Sequence, residues 1–163
     1  NGGLLFMKRF TIILLALTLS LAALACTAQQ PAADDPIDDA PLADIMAAII
    51  KDATGEIATA EAEVDAERFS WFFGIDAIEG AEAYSSEALI NAIAHSVALL
   101  RVPEGTDVAE TAAQIEQSAN PNKWVCVGAE KTIVKTRGNV VLLVMSQTAI
   151  ADQIAANFDA YQP

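Results

Sequence analysis

The chain has 163 residues, 53% of them hydrophobic, and carries 22 Asp and Glu against 9 Lys and Arg, a formal net charge of −13. That length holds one domain plus extensions. A surface this acidic argues against nucleic acid and against charge-driven docking on anionic lipid, and leaves cation-rich partners open.

Residues 1–6 precede Met7 and read as an upstream, non-native extension. Lys8-Arg9 then forms a positive n-region, followed by Phe10–Ala25, an apolar stretch of about sixteen residues. A spanning helix needs roughly 20, so residues 7–26 read as a secretory signal peptide. The stretch closes on Ala22-Ala23-Leu24-Ala25-Cys26. Bacterial lipoprotein signals end in Leu-Ala-Gly/Ala-Cys, and the cysteine becomes the lipidated N-terminus. Ala25 and Cys26 fit that ending, while Ala23 and Leu24 reverse its first two positions. Cys26 is thus the expected lipidation site, and two or three acyl chains would hold the chain on a membrane. Cleavage after Ala25 or after Ala28 is the alternative and gives a secreted protein. Cys26 and Cys126 are too few for a disulfide framework or a Cys-only zinc site, and a single bond between them would have one end in a flexible tail.

Residues 27–40 (TAQQPAADDPIDDA) read as a disordered acidic linker with one isolated Ile37. Its aspartates lack the spaced Gly and terminal Glu of a calcium loop. The folded domain is expected over 41–163. Leu42, Ile45, Met46, Ile49 and Ile50 predict an amphipathic helix after Pro41. Residues 57–67, acidic and rich in alanine, read as a second short helix or an exposed continuation. FSWFFGI, residues 69–75, gathers the aromatics; Trp71, Phe72 and Phe73 are expected to plug one end of the core. Residues 77–84 read as a helical turn and Ser85-Ser86 as a loop.

A strand is expected over His95–Val102, with Val97, Leu99 and Arg101 on one face and Ser96, Ala98, Leu100 and Val102 on the other. Pro103-Glu104-Gly105 stops it. Thr106 is expected to cap a helix over 107–118, with Val108, Ala112, Ile115 and Ala119 inward. Trp124 reads as a packing residue and Cys126 as a small buried hydrophobe. In KTIVKTRGNVVLLVM, residues 131–145, Gly138-Asn139 predicts a type II′ hairpin pairing Arg137 with Val140, Lys135 with Leu142 and Ile133 with Val144. Val140–Met145 is apolar at every position, which predicts a strand covered on both faces. Ser146 is expected to cap a last helix that turns Ile150, Ile154 and Phe158 to the sheet. The sum is an α+β domain: a small, antiparallel-containing sheet of about three strands packed with helices as a two-layer sandwich. The helix after Pro41 is free to cover the second face.

No GxGxxG, GxxxxGK, GxSxG, HExxH or CxxC occurs, so no cofactor or metal is expected. The run from Phe73-Gly74-Ile75-Asp76, through the turn Arg101–Asp107, to the Arg137-Gly138-Asn139 hairpin and its apolar strand resembles a family of uncharacterised Firmicutes lipoproteins. That is a domain-of-unknown-function family with a compact α/β domain, and the likeness covers about Phe69 to Phe158. It implies a lipoprotein and a fold, but no activity and no functional residue. Two functions follow as expectations. The first is a non-enzymatic domain on the extracytoplasmic face of the cell membrane, anchored through Cys26, that binds a protein, peptide or small ligand. Trp71, Phe72, Tyr84 and Trp124 are its candidate surface. The second is a cell-envelope hydrolase or other enzyme using His95 and nearby acids. A cleft joining His95 to a carboxylate favours the enzyme; a buried, isolated His95 favours the binding domain.

Overall fold

The computed structural model describes residues 35–163. Five strands form one antiparallel sheet in the order β1-β2-β3-β5-β4: β1 Thr59–Glu63, β2 Glu82–Ala88, β3 Ser96–Arg101, β4 Lys131–Arg137 and β5 Val140–Ser146. Four helices accompany them: α1 Leu42–Ile50, α2 Phe69–Phe73, α3 Val108–Ser118 and α4 Thr148–Ala160. The α+β class stands, but the sheet has five strands rather than about three. Helices cover both faces, so the domain has three layers, not two.

The β4–β5 hairpin sets the register. Arg137 pairs with Val140, Lys135 with Leu142 and Ile133 with Val144. Gly138 takes φ +50° while Asn139 stays at negative φ, the combination a type II′ turn requires. Every residue of β5 is buried, because β3 and β4 flank it and helices lie above and below. On one face Val97, Leu99, Val140, Leu142 and Val144 meet α1 and α4. On the other Ala98, Leu100, Val141, Leu143 and Met145 meet α2 and α3.

The two strands absent from the sequence reading are β1 and β2. Residues 59–63 are TAEAE, expected as helix, and residues 82–88 are EAYSSEA, expected as a turn and a loop. Ala, Glu and Ser carry little strand preference of their own. Pairing with the strongly apolar β3 overrides it, since strand propensity reports packing context more than backbone preference. Ser85 and Ser86 are buried within β2 and donate to the Ala62 carbonyl (3.3 Å) and the Glu61 carboxylate (2.8 Å).

Helix starts also shift. Asp107, not Thr106, caps α3, accepting from Glu110 N at 2.9 Å, while Thr106 N closes the preceding turn on the Pro103 carbonyl. Ser146 does not cap α4; it ends β5, and the Glu130 carboxylate receives Thr148 N instead (3.0 Å). The folded part begins before Pro41. Pro36–Asp38 forms a 3₁₀ turn whose Ile37 is fully buried, in a stretch expected to be linker.

Gly74 ends α2 at φ +72°, and a Cβ there would lie 2.7 Å from the Ser118 carbonyl carbon at the end of α3. That neighbour is backbone and has little room to yield. Gly74→Ala is therefore expected to lower stability by about 2 kcal/mol, from left-handed strain plus displaced backbone. Chemical denaturation reads it; a change within about 0.5 kcal/mol, the size of an ordinary surface substitution, would mean α2 and α3 do not meet this closely.

Candidate functional site

The aromatic segment becomes a site because of one lysine. The left-handed Gly74 stops α2 and holds it against α3. After α3 the chain turns at Asn120–Asn122, with Asn122 N donating to Asn120 Oδ1 at 3.0 Å. The next residue, Lys123, is thereby aimed between α2 and the sheet. Its Nζ lies 3.7 Å from the Trp71 ring centroid, 5.0 Å from that of Phe72 and 5.3 Å from that of Trp124. Ammonium over ring faces is electrostatically favourable, more so out of water. Lys123 Nζ donates to Ser96 Oγ at 2.9 Å and sits 3.5 Å from Glu87 Oε1, which also accepts from Ser96 Oγ. Glu87 and Ser96 face one another across β2 and β3.

Only 4% of the Lys123 side chain is exposed. Burial pushes its amine down to about 8, against the pull of Glu87. Burial likewise pushes the Glu87 carboxyl above its ordinary value, against Lys123 and the Ser96 hydrogen bond. Desolvation thus opposes both charges; their mutual attraction retains both, and the rings retain the ammonium.

On the opposite face of the same sheet end, His95 Nδ1 is 2.9 Å from Ser146 Oγ. Both residues are fully buried, and His95 Nε2 has no partner among the described residues. Burial takes the imidazole from 6.5 to about 4, so it is neutral at pH 7. The site thus contains two hydroxyl–base pairs, Ser96 with Lys123 and Ser146 with His95. A serine beside a base is the geometry of an activated nucleophile. Yet Ser96 is 1% exposed and Ser146 0%, so neither hydroxyl meets the surface.

Three of the four aromatic residues singled out in the sequence come together: Trp71, Phe72 and Trp124. Trp71 is 48% exposed, whereas Phe72 and Trp124 are buried. Tyr84 does not join them; it packs on the α1–α4 face. There it borders a groove of about 570 Å³ with Asp39, Leu42, Glu63, Glu82 and Arg101. Lys123, Glu87 and Ser96 were not singled out. The one available signal was a lysine adjoining Trp124 in an otherwise apolar stretch. Cys126, expected to be buried, is exposed at φ +61°, because the 121–130 loop has no regular ladder to bury it. Cys26 lies outside the described residues.

Among the described residues no group of three or more His, Cys, Asp or Glu is placed to hold a metal, and no helix is long and apolar enough to cross a membrane. No family model, curated protein or solved structure matches the chain. The family resemblance therefore rests on the quoted residues alone.

Proposed function

We propose that the chain is a non-enzymatic binding domain of the extracytoplasmic face, held to the membrane by lipid on Cys26. The observation that carries the non-enzymatic half is the sealing of both hydroxyl–base pairs: Ser96 and Ser146 are 1% and 0% exposed. An acyl-transfer enzyme must bring its nucleophile within about 3 Å of a substrate carbon, which these hydroxyls cannot do without opening the sheet end. The signal-like segment ending in Cys26, and the resemblance to a lipoprotein family, support the location.

The sheet polarity supports display. Asp35 and Asp38 fasten to Arg137 and Asn139 at the β4–β5 turn, so the chain enters at that end. The loops bearing exposed Leu89, Ile90 and Val125 leave the opposite end. Those loops therefore lie at the far end of the sheet from the clasp of Asp35 and Asp38.

Two measurements test the reading. Mass spectrometry of the mature N-terminal peptide is expected to find diacylglyceryl on Cys26; a free terminus at Gln29 would remove the anchor. A fluorophosphonate probe is expected to leave Ser96 and Ser146 unlabelled, and stoichiometric labelling of either would make the domain an enzyme.

A further inference from the structure

We propose that the open edge of β1, with the groove beside it, takes an extended peptide bearing Lys or Arg as a sixth strand. This rests on the binding-domain reading and names the class of its partner.

Among the described residues β1 pairs with β2 alone, and residues 60–63 are exposed. The ladder tells which backbone groups are free. Leu89 N donates to the Ala58 carbonyl (3.0 Å), and Val64 N donates to the Ala83 carbonyl (2.9 Å). Positions 58 and 64 therefore turn their backbone toward β2, and the period of two assigns 60 and 62 to the same side. Thr59, Glu61 and Glu63 turn their N–H and C=O groups outward. One end is already closed, since Arg68 Nη2 donates to the Glu63 carbonyl at 2.6 Å. Among the described residues, both groups of Thr59, both of Glu61 and the N–H of Glu63 are open, enough to pair an extended segment of a few residues.

The side chains select the occupant. Glu61 and Glu63 stand opposite Ser86 and Tyr84, on the α1 face. Glu63 and Tyr84 are also walls of the 570 Å³ groove, which runs on to Asp39, Leu42 and Glu82. Among the described residues three carboxylates border it against one cation, Arg101. That guanidinium is engaged by Glu82 at 2.8 Å and by the Ile37 and Ala40 carbonyls. A peptide strand along β1 sends alternate side chains onto this face. There a lysine or arginine meets Glu63 and Asp39, with its stem against Tyr84 and Leu42.

The same charges reject a second copy. Antiparallel self-pairing centred on β1 sets Glu61 against Glu61, in chains that each carry −13. Like charges directly opposite are destabilising, and acidic edges commonly prevent this association. An edge closed to its own kind by carboxylates is open to a basic strand.

The test uses the full chain in neutral detergent and three capped heptapeptides. One alternates lysine and valine; one has glutamate for lysine; one keeps lysine but is N-methylated at every backbone nitrogen. Binding of the first is expected to shift the amide resonances of 59–63 and to weaken at least about tenfold with Glu63→Lys. The N-methylated peptide keeps the charge but cannot donate to the edge, so it is expected to bind at least about tenfold more weakly. Equal binding of the first and third would reduce the effect to non-specific charge attraction and overturn the proposal, as would equal binding of the glutamate peptide. Fluorophosphonate labelling separates the two failures. No labelling and no strand addition sinks only the edge proposal; labelling of a serine sinks the reading beneath it.

Discussion

Ile37→Ala is expected to cost about 2–4 kcal/mol of folding stability. The substitution removes three carbons, each worth about 0.8 kcal/mol when buried, and adds a cavity cost where the surroundings do not collapse. Ile37 is fully buried in the cluster with Met46, Leu99 and Leu142. Its surroundings are pinned. Asp35 caps the 3₁₀ turn by accepting from Ile37 N at 3.1 Å, and Asp38 Oδ1 accepts from Asn139 N at 2.6 Å. Arg137 pairs with Asp35 at 2.9 Å and donates to the Phe158 and Tyr161 carbonyls, both at 2.9 Å. The Ile37 amide, and then Arg137, hold the Asp35 carboxyl below its ordinary range against the opposing effect of burial. The turn thus ties the hairpin tip and the end of α4 together, and collapse around the cavity is limited. Urea denaturation checks it through a lowered midpoint at unchanged slope. Asp39→Ala, two residues on and exposed, is the control and should stay within about 0.5 kcal/mol. If Ile37→Ala is equally mild, residues 35–40 are a spacer after all.

The difference between Ile37 and Val140–Met145 explains what could be read from the sequence. Six apolar residues after a Gly-Asn turn fix register, strand and two-sided burial without outside help, and every expected β4–β5 pair occurs. The faces of β3 were legible for the same reason. A single isoleucine among aspartates carries no period, so only the tertiary clasp by Arg137 and Asn139 reveals it. β1 and β2 fail likewise: their alternation is written in Ala, Ser and Glu, whose burial depends on the neighbouring strand. At the site, Trp71, Phe72 and Trp124 were legible because large aromatics seek one another. Lys123 was not, since an isolated lysine reads as solvated until rings and a carboxylate surround it. Tyr84 shared their chemistry but not their face, a distinction that depends on the unrecognised β2.

The second large effect is acid lability set by the chain's only histidine. His95 has an ordinary value of 6.5 and is pushed to about 4 by burial in the folded state. Between those values the unfolded chain binds the proton and the folded chain does not, so stability rises with pH. The contribution is fully present above about pH 6.5 and is lost as pH falls to about 4, a total of about 3 kcal/mol. Glu87 acts in the opposite sense just above its ordinary value, because its folded carboxyl is raised. The clean measurement is therefore the difference between wild type and His95→Asn, whose amide can meet Ser146 but takes no proton in this range. The variant is expected to start less stable at pH 7 and to lose about 3 kcal/mol less than wild type between pH 6.5 and 4. Should the variant not fold, the same claim is read in the wild type by NMR. The single imidazole resonance is expected to stay unshifted down to about pH 5. Titration near 6.5 in the folded protein would mean that the imidazole reaches water. That result would also unseat the sealed-serine argument, because Ser146 is hydrogen-bonded to that imidazole and fully buried with it.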